Sequence, residues 1–248
     1  MGIFRAPNIP TDNLVSCVDP ANHKSYDPSY SFSYDIVSNT NSTFSQINGA
    51  GVILNDTVGP RWSLNGSNQY IKGNSIPTGT RPTESELQAN GYTVHAWILP
   101  EQNDGGIFSN DGAGQSIYYG LDTFINTSGY LSMGKYDGGG SNPSDRLTVN
   151  STTAIQLNKW HFVSFSWFDA VTTGKWAIFQ NGTQLSTTTT GTGGSLAYGT
   201  GTRGGIGIKR TSYFGGGIGA VWIYNKFQSI HTHTQIYERT KDKYNNPA

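Results

Sequence analysis

The stretch from Leu157 to Leu185, LNKWHFVSFSWFDAVTTGKWAIFQNGTQL, decides the fold. Val163, Phe165 and Trp167 alternate with Ser164 and Ser166, so one face is bulky and apolar while the other carries hydroxyls. A period of two marks a half-buried strand. Asp169 to Gly174 interrupts with turn chemistry, and Lys175 to Gln180 alternates again through Trp176 and Ile178. Asn181-Gly182 then supplies a tight hairpin turn, because both residues tolerate positive φ. Three strands in meander order follow from this stretch alone. Trp160, Trp167 and Trp176 are expected to pack in the core and on the sheet faces rather than to form a binding platform.

Composition extends the same reading outward. Thirty-two glycines, Ser- and Thr-rich connections and 12% aromatic residues favour many short strands joined by tight turns. Charged residues make up only 13%, with sixteen of each sign and zero net charge. A neutral chain without a basic stripe has no electrostatic footprint for nucleic acid or an anionic membrane. Weak self-repulsion suits a protein that works inside an assembly. The lone Cys17, between Val15 and Val18, reads as a small core hydrophobe, and no internal disulfide can form. No apolar run reaches signal-peptide or membrane-span length, so synthesis in a reducing cytoplasm without such a signal is expected.

Along the chain, residues 1–13 carry two prolines and form an N-terminal arm. Residues 14–225 read as one sandwich, beginning with a strand at Leu14–Val18. Trp62–Gly66 and Gln69–Lys72 read as a hairpin around Asn65–Asn68. A helical turn is expected near Thr83–Leu87. Tyr92–Leu99 is a strand with Tyr92, Val94, Ala96 and Ile98 on one face. Shorter strands follow at Gly106–Ser109, Ser116–Leu121 and Tyr130–Met133, then an irregular loop over Asp137–Asp145. Ser186–Gly205 is a Thr/Gly tract expected as a long loop or a poorly pinned edge. Ile206–Ile208 and Gly217–Tyr224 close the sandwich, and their glycines mark close backbone approach. Residues 226–248 form a helix and tail packed on the same domain, with Ser229 as its cap. The fold class is all-β, a two-sheet antiparallel sandwich with a short C-terminal helix.

At this point seven strings carry a resemblance: NIPTDNLVSCVDPANHKSYD, WSLNGSNQYIKG, YTVHAWILP, LNKWHFVSFSW, FQNGTQL, GGGIGAVWIYNKFQS and QIYERTKDKY. In this order they resemble the landmarks of laminin-G-like (concanavalin A-like) jelly-roll domains, and most closely the stand-alone versions that serve as structural proteins of tailed bacteriophages, notably of marine and cyanobacterial hosts. The resemblance implies a jelly roll and a non-enzymatic virion surface protein, with capsid decoration first and a tail or fibre receptor-binding position next. Its partners would be other virion proteins, further copies of itself and host-surface glycans, with no nucleic acid or membrane. A soluble carbohydrate-binding module is the competing function. Three departures stand out. Asn65 and Gln69 replace the aspartates of the family's FDG-x-x-DY-like string. Gln228 and His233 stand where the terminal helix usually carries Leu and Ile. Thr232 replaces the Glu of its capping box.

Candidate chemistry is sparse. Glycoside hydrolysis needs two carboxylates flanking the scissile bond. The chain has only four glutamates, Glu84, Glu86, Glu101 and Glu238, and none stands on a clear strand with an acidic partner on the same face. His23, His95, His161, His231 and His233 show no zinc spacing. No catalytic or metal-binding residue is therefore assigned, and no cofactor is expected. For calcium, Asp137, Asn142 and Asp145 offer hard oxygen ligands, although a Gly-rich turn produces the same string. For glycans, Tyr118, Tyr119, Tyr136 beside Asp137, and Tyr213 place rings next to loops, where sugars stack. The same rings serve equally as packing on the second face of a sheet, and both readings stay open. Assembly contacts are expected from Ile3, Phe4 and Arg5 of the arm, with His233 and Tyr244 of the helix. The arm folding back across its own sandwich is the alternative.

Overall fold

The computed structural model describes residues 9–29, 32–37, 43–54, 57–73, 80–110, 119–137, 146–168, 175–191, 194–198 and 204–245. In chain order the first strands are β1 (Leu14–Val18), β2 (Phe32–Tyr34), β3 (Thr43–Ile47), β4 (Gly51–Ile53), β5 (Arg61–Asn65) and β6 (Tyr70–Gly73). Helix α1 (Glu84–Ala89) precedes β7 (Tyr92–Pro100), β8 (Gly105–Ser109), β9 (Tyr119–Ile125), β10 (Tyr130–Asp137) and β11 (Arg146–Ala154). Then come β12 (His161–Phe168), β13 (Lys175–Gln180), β14 (Thr183–Gln184), β15 (Thr187–Thr190) and β16 (Gly205–Ile206). The short pair β17 (Ile208–Lys209) and β18 (Ser212–Tyr213) leads into β19 (Gly215–Tyr224) and α2 (Ile230–Asn245).

The strands form two antiparallel sheets. The first has the order β14-β13-β12-β7-β19-β5-β4, with β1 beside the second half of β19. The second has the order β15-β11-β10-β9-β8-β16-β6-β3-β2. The core lies between them. Tyr92, Val94, Ala96 and Ile98 of β7 and Val163, Phe165 and Trp167 of β12 face Ile71, Phe108, Met133 and Val149 of the second sheet. The alternating residues of the central stretch thus sit on the face their period assigned. Asn181 and Gly182 turn with φ of 51° and 78°, which joins β13 to β14 as a tight hairpin.

Three local expectations need correction. Asn65–Asn68 does not close a hairpin: β5 belongs to the first sheet and β6 to the second, so the turn is a corner between layers. The Thr/Gly tract does form the expected edge, at β15, where four threonines are exposed, but its last residue, Gly205, belongs to an internal strand, β16, between β8 and β6. The serine face of β12 is not solvated. Ser164 and Ser166 are fully buried because α2 lies across them.

That helix closes the second face of the first sheet. Trp97 of β7, Phe162 of β12, Trp222 and Tyr224 of β19, and Cys17 of β1 form a satellite cluster with Ile236 and Tyr244 of α2. Gly219 makes room there, since a Cβ would lie 2.5 Å from the Tyr244 ring. Helix α1 sends its buried Leu87 into the core between the sheets. A full capping box starts α1. The Glu86 N–H donates to Thr83 Oγ1 at 3.2 Å, and the Thr83 N–H donates to Glu86 Oε2 at 2.7 Å. The described part of the arm docks on its own domain. Ile9 packs against the satellite cluster and the Tyr224 hydroxyl donates to the Pro10 carbonyl at 2.8 Å.

Candidate functional site

With α2 covering the first sheet, the outer face of the second sheet is, among the described residues, the large sheet face on which no helix lies. Its register aligns one residue from each of nine strands in a single row. The row runs Phe32, Ser45, Lys72, Gly205, Ser109, Asp122, Gly134, Thr148 and Thr190. The neighbouring row, Gln46, Ile71, Ile206, Phe108, Thr123, Met133, Val149 and Thr189, turns mainly apolar side chains into the core. Side chains alternate across the pleat, so the first row points away from the core; Phe32, Ser45, Lys72, Thr148 and Thr190 reach solvent, while Gly205, Ser109, Asp122 and Gly134 at its centre are buried.

The β17–β18 hairpin crosses this face. Its backbone passes so close over Gly106 that a Cβ there would sit 1.9 Å from the Lys209 nitrogen, which only glycine permits. Lys209 lays its ammonium over the Phe124 ring, 3.3 Å from the centroid. Burial lowers the pKa of this lysine, against the opposing influence of Asp122 and Asp104. On the far side of the hairpin Tyr213 meets Tyr70 of β6, with ring centroids 6.0 Å apart. Both rings are half-buried, and burial together with Tyr213 raises the Tyr70 pKa. Phe32 and Tyr34 pack edge to face at 5.1 Å on the edge strand. The result is a face of hydroxyls, amides and charges interleaved with aromatic rings. Such a surface offers stacking together with directional hydrogen bonds.

Of the residues expected from sequence to bind glycans, Tyr213 and Tyr136 stand apart on this face. Tyr213 belongs to the aromatic pair just described. Tyr136 and Asp137 stand at the other end of the face, where Asp137 is opposite Tyr119 in the register. Tyr136 is only 2% exposed, its ring folded over Gly134, so it packs the sheet surface and presents no free face for stacking. Tyr118 lies outside the described residues, as do Asn142 and Asp145 of the calcium proposal. Among the described residues no group of three His, Cys, Asp or Glu side chains is placed to hold a metal ion. The residues that sequence reading missed are Tyr70, Lys72, Asp122, Phe124 and Lys209. They are drawn from distant strands, and only the register brings them together.

The assembly contacts expected on the helix also change place. Tyr244 is 1% exposed, stacks on Trp97 at 4.7 Å and accepts the Ala220 N–H at 2.9 Å. His233 is fully buried against Phe179. Both side chains are consumed by this chain's own sheet and are not available to a neighbour. Ile3, Phe4 and Arg5 lie outside the described residues. Three of the four glutamates weighed for hydrolysis have local partners. Glu84 pairs with Lys135 at 2.8 Å and accepts the Leu196 N–H at 2.7 Å, Glu86 caps α1, and Glu238 pairs with Lys241 at 2.6 Å. Asn65, at a position expected to be aspartate, accepts the N–H groups of Ser67, Asn68 and Gln69 through Oδ1 at 3.0–3.2 Å. An amide oxygen suffices for that corner, with no charge required.

Residues 65–229 match a laminin G family described as the concanavalin A-like lectin/glucanases superfamily. The chain belongs to this superfamily. No curated protein sequence matches it. Among solved structures, this concanavalin A-like domain resembles the binding domain of botulinum neurotoxin serotype D, with TM-score 0.60 and 16% identity over 92% of the chain and 52% of the toxin domain. It also resembles domain 4 of AbnA, an extracellular arabinanase of Geobacillus stearothermophilus solved with arabinotriose, with TM-score 0.57 and 19% identity over 91% of the chain and 98% of that domain. A Trypanosoma rangeli sialidase mutant matches with TM-score 0.55 and 14% identity over 95% of the chain. The chain spans about a third (34%) of that sialidase's length. At these identities the likeness is one of fold.

Proposed function

We propose that this domain is a non-enzymatic glycan-binding module and that the outer face of its second sheet, around Tyr70, Tyr213 and Lys72, holds the saccharide. The observation that carries the reading is the outer face of the second sheet, on which no helix lies among the described residues and where the partly exposed Ser45 and Lys72 stand beside the Tyr70–Tyr213 ring pair. Rings stack on the apolar faces of sugars while hydroxyls and amides take their hydroxyl hydrogen bonds. The arabinotriose complex of the arabinanase domain supports it as a use this fold accommodates. The local engagement of Glu84, Glu86 and Glu238 supports the absence of a hydrolytic carboxylate pair. The setting proposed is a virion surface, as capsid decoration or, next, in a tail or fibre. Support for that setting is the sequence resemblance to stand-alone phage structural proteins. Calorimetric titration with arabinotriose and with host-surface polysaccharides tests the binding. At least one saccharide is expected to bind, and Tyr70→Ala and Tyr213→Ala are each expected to weaken it by at least about tenfold. Absence of binding, binding that survives both substitutions, or turnover of the saccharide would overturn the proposal. Mass spectrometry and imaging of purified particles test the setting.

A further inference from the structure

The seam between α2 and the first sheet holds a pair of buried histidines that the ligand face does not use. His95 of β7 and His233 of α2 are each 0% exposed, with ring centroids 5.0 Å apart. His95 Nδ1 lies 2.8 Å from Ser164 Oγ, and His233 Nε2 lies 3.2 Å from the Gln228 carbonyl and 3.3 Å from Ser166 Oγ. The second nitrogen of each ring, His95 Nε2 and His233 Nδ1, has no hydrogen-bond partner among the described residues. Aromatic rings supply the remaining walls. Phe179 stacks on His233 at 3.7 Å, and Phe162 and Tyr224 meet His95 at 5.6 Å and 5.3 Å.

Among the described residues nothing on the surrounding elements would compensate a positive charge. β12 and β13 present Ser164, Ser166 and Phe179 to the pair. From β19 the titratable neighbour is Tyr224, and beyond Trp222 lies Cys17 of β1; burial pushes both up, so both stay neutral. On α2, Glu238 and Lys241 stand away from the seam and pair with each other, and His231 is exposed. No carboxylate among the described residues acts on either ring. His233 also stands in the first turn of α2, where the helix dipole is positive and opposes a cation. Burial accordingly depresses His233 to about 3, and burial followed by the neighbouring His233 holds His95 well below its ordinary value.

We infer that the His95–His233 pair is an acid-operated latch, whose protonation in mild acid frees α2 from the sheet while the two-sheet core stays folded. The separation is built into the packing. The side chains that bury α2 form a cluster distinct from the one between the sheets. As the last element of the described chain, α2 can also leave without breaking a strand. Opening lets both rings take up protons and uncovers the aromatic surface of Trp97, Phe162 and Trp222. Each histidine that is neutral when closed and ordinary when open multiplies the open fraction by about 100 between pH 7.5 and pH 4.5.

Amide hydrogen exchange on the full chain, corrected for intrinsic rates, tests this at pH 7.5, 6 and 4.5. The amides of α2 should lose at least about 100-fold in protection at pH 4.5 while those of β7 and β12 keep theirs. His233→Leu should remove about 100-fold of that loss, and His231→Asn, on the exposed side of the same helix, should change nothing. The latch is overturned if α2 stays protected at pH 4.5, or if helix and strands open together. It is also overturned if His233→Leu responds to acid as the parent does, or if His231→Asn abolishes the response. Should His233→Leu fail to fold, the comparison of helix with strands in the parent chain decides alone.

Discussion

Replacing Tyr244 with Phe removes a single oxygen, and the structure says what that oxygen does. β19 pairs with β7 through Gly216–Ile218 and again through Val221–Tyr224, with a register shift between. On its other edge β5 reaches Ile218 and β1 begins at Val221. Gly219 and Ala220 fall in the gap, so the Ala220 N–H has no strand to donate to. It donates instead to the Tyr244 hydroxyl at 2.9 Å, in a place where both residues are buried. In Tyr244→Phe the ring keeps its stacking on Trp97 and its tilted contact with Trp160, each at 4.7 Å, and the N–H is left buried without an acceptor. An orphaned buried donor costs about 1–3 kcal/mol. For a chain of this size each kcal/mol moves Tm by about 2–4 °C, so a fall of about 4–8 °C is expected for a mid-range cost of about 2 kcal/mol. Differential scanning calorimetry measures it, with Tyr237→Phe as control, since that hydroxyl has no hydrogen bond among the described residues. A Tyr244→Phe variant melting within about 1 °C of the parent would refute the reasoning. An equal fall in the control would do the same.

Two further outcomes follow from the same structure. Deleting residues 2–11 should destabilise the isolated domain, because it removes Ile9 from the satellite cluster and the Pro10 carbonyl from Tyr224; an unchanged Tm would return the arm to the role of an assembly contact. Chelation should leave Tm unaltered, and a loss of several degrees restored by calcium would contradict this.

Much of the fold was legible because period-two runs mark strands wherever one face is apolar. Tyr92, Val94, Ala96 and Ile98, like Val163, Phe165 and Trp167, are all in the core. The reading failed where that contrast faded. In β11 only Leu147, Val149 and the terminal Ala154 are apolar, and Asn150 to Thr153 have the composition of a loop. The β15 strand is four threonines. At Asn65–Gln69 the turn chemistry was visible, but local chemistry cannot tell whether the next strand returns beside its predecessor or crosses to the other sheet. Here it crosses.

The candidate ligand face and the helix seam explain why site residues were harder to read than strands. Ser164 and Ser166 of β12 have the same alternating pattern as Thr148 and Asn150 of β11, a hydroxyl or amide at every second position. One pair is sealed beneath α2 and the other faces outward on the second sheet. The difference does not lie in the strands. It comes from α2, whose Ile236 and Tyr244 bring apolar surface to the first sheet more than sixty residues further along the chain. That sheet is shaped to receive it, with Gly219, Ala220 and Cys17 leaving room between the large rings. Among the described residues the second sheet has no such helix over it. Over Gly134 the space is filled by Tyr136 of the same strand, and the hairpin carrying Lys209 and Tyr213 covers only part of the rest. A polar strand face therefore becomes a buried seam or a candidate binding surface according to whether a distant apolar segment exists to cover it. The departures of Gln228 and His233 from Leu and Ile belong to that covering segment, which is why they read as anomalies in the helix and acquire a role only once the histidine opposite, His95, is in view.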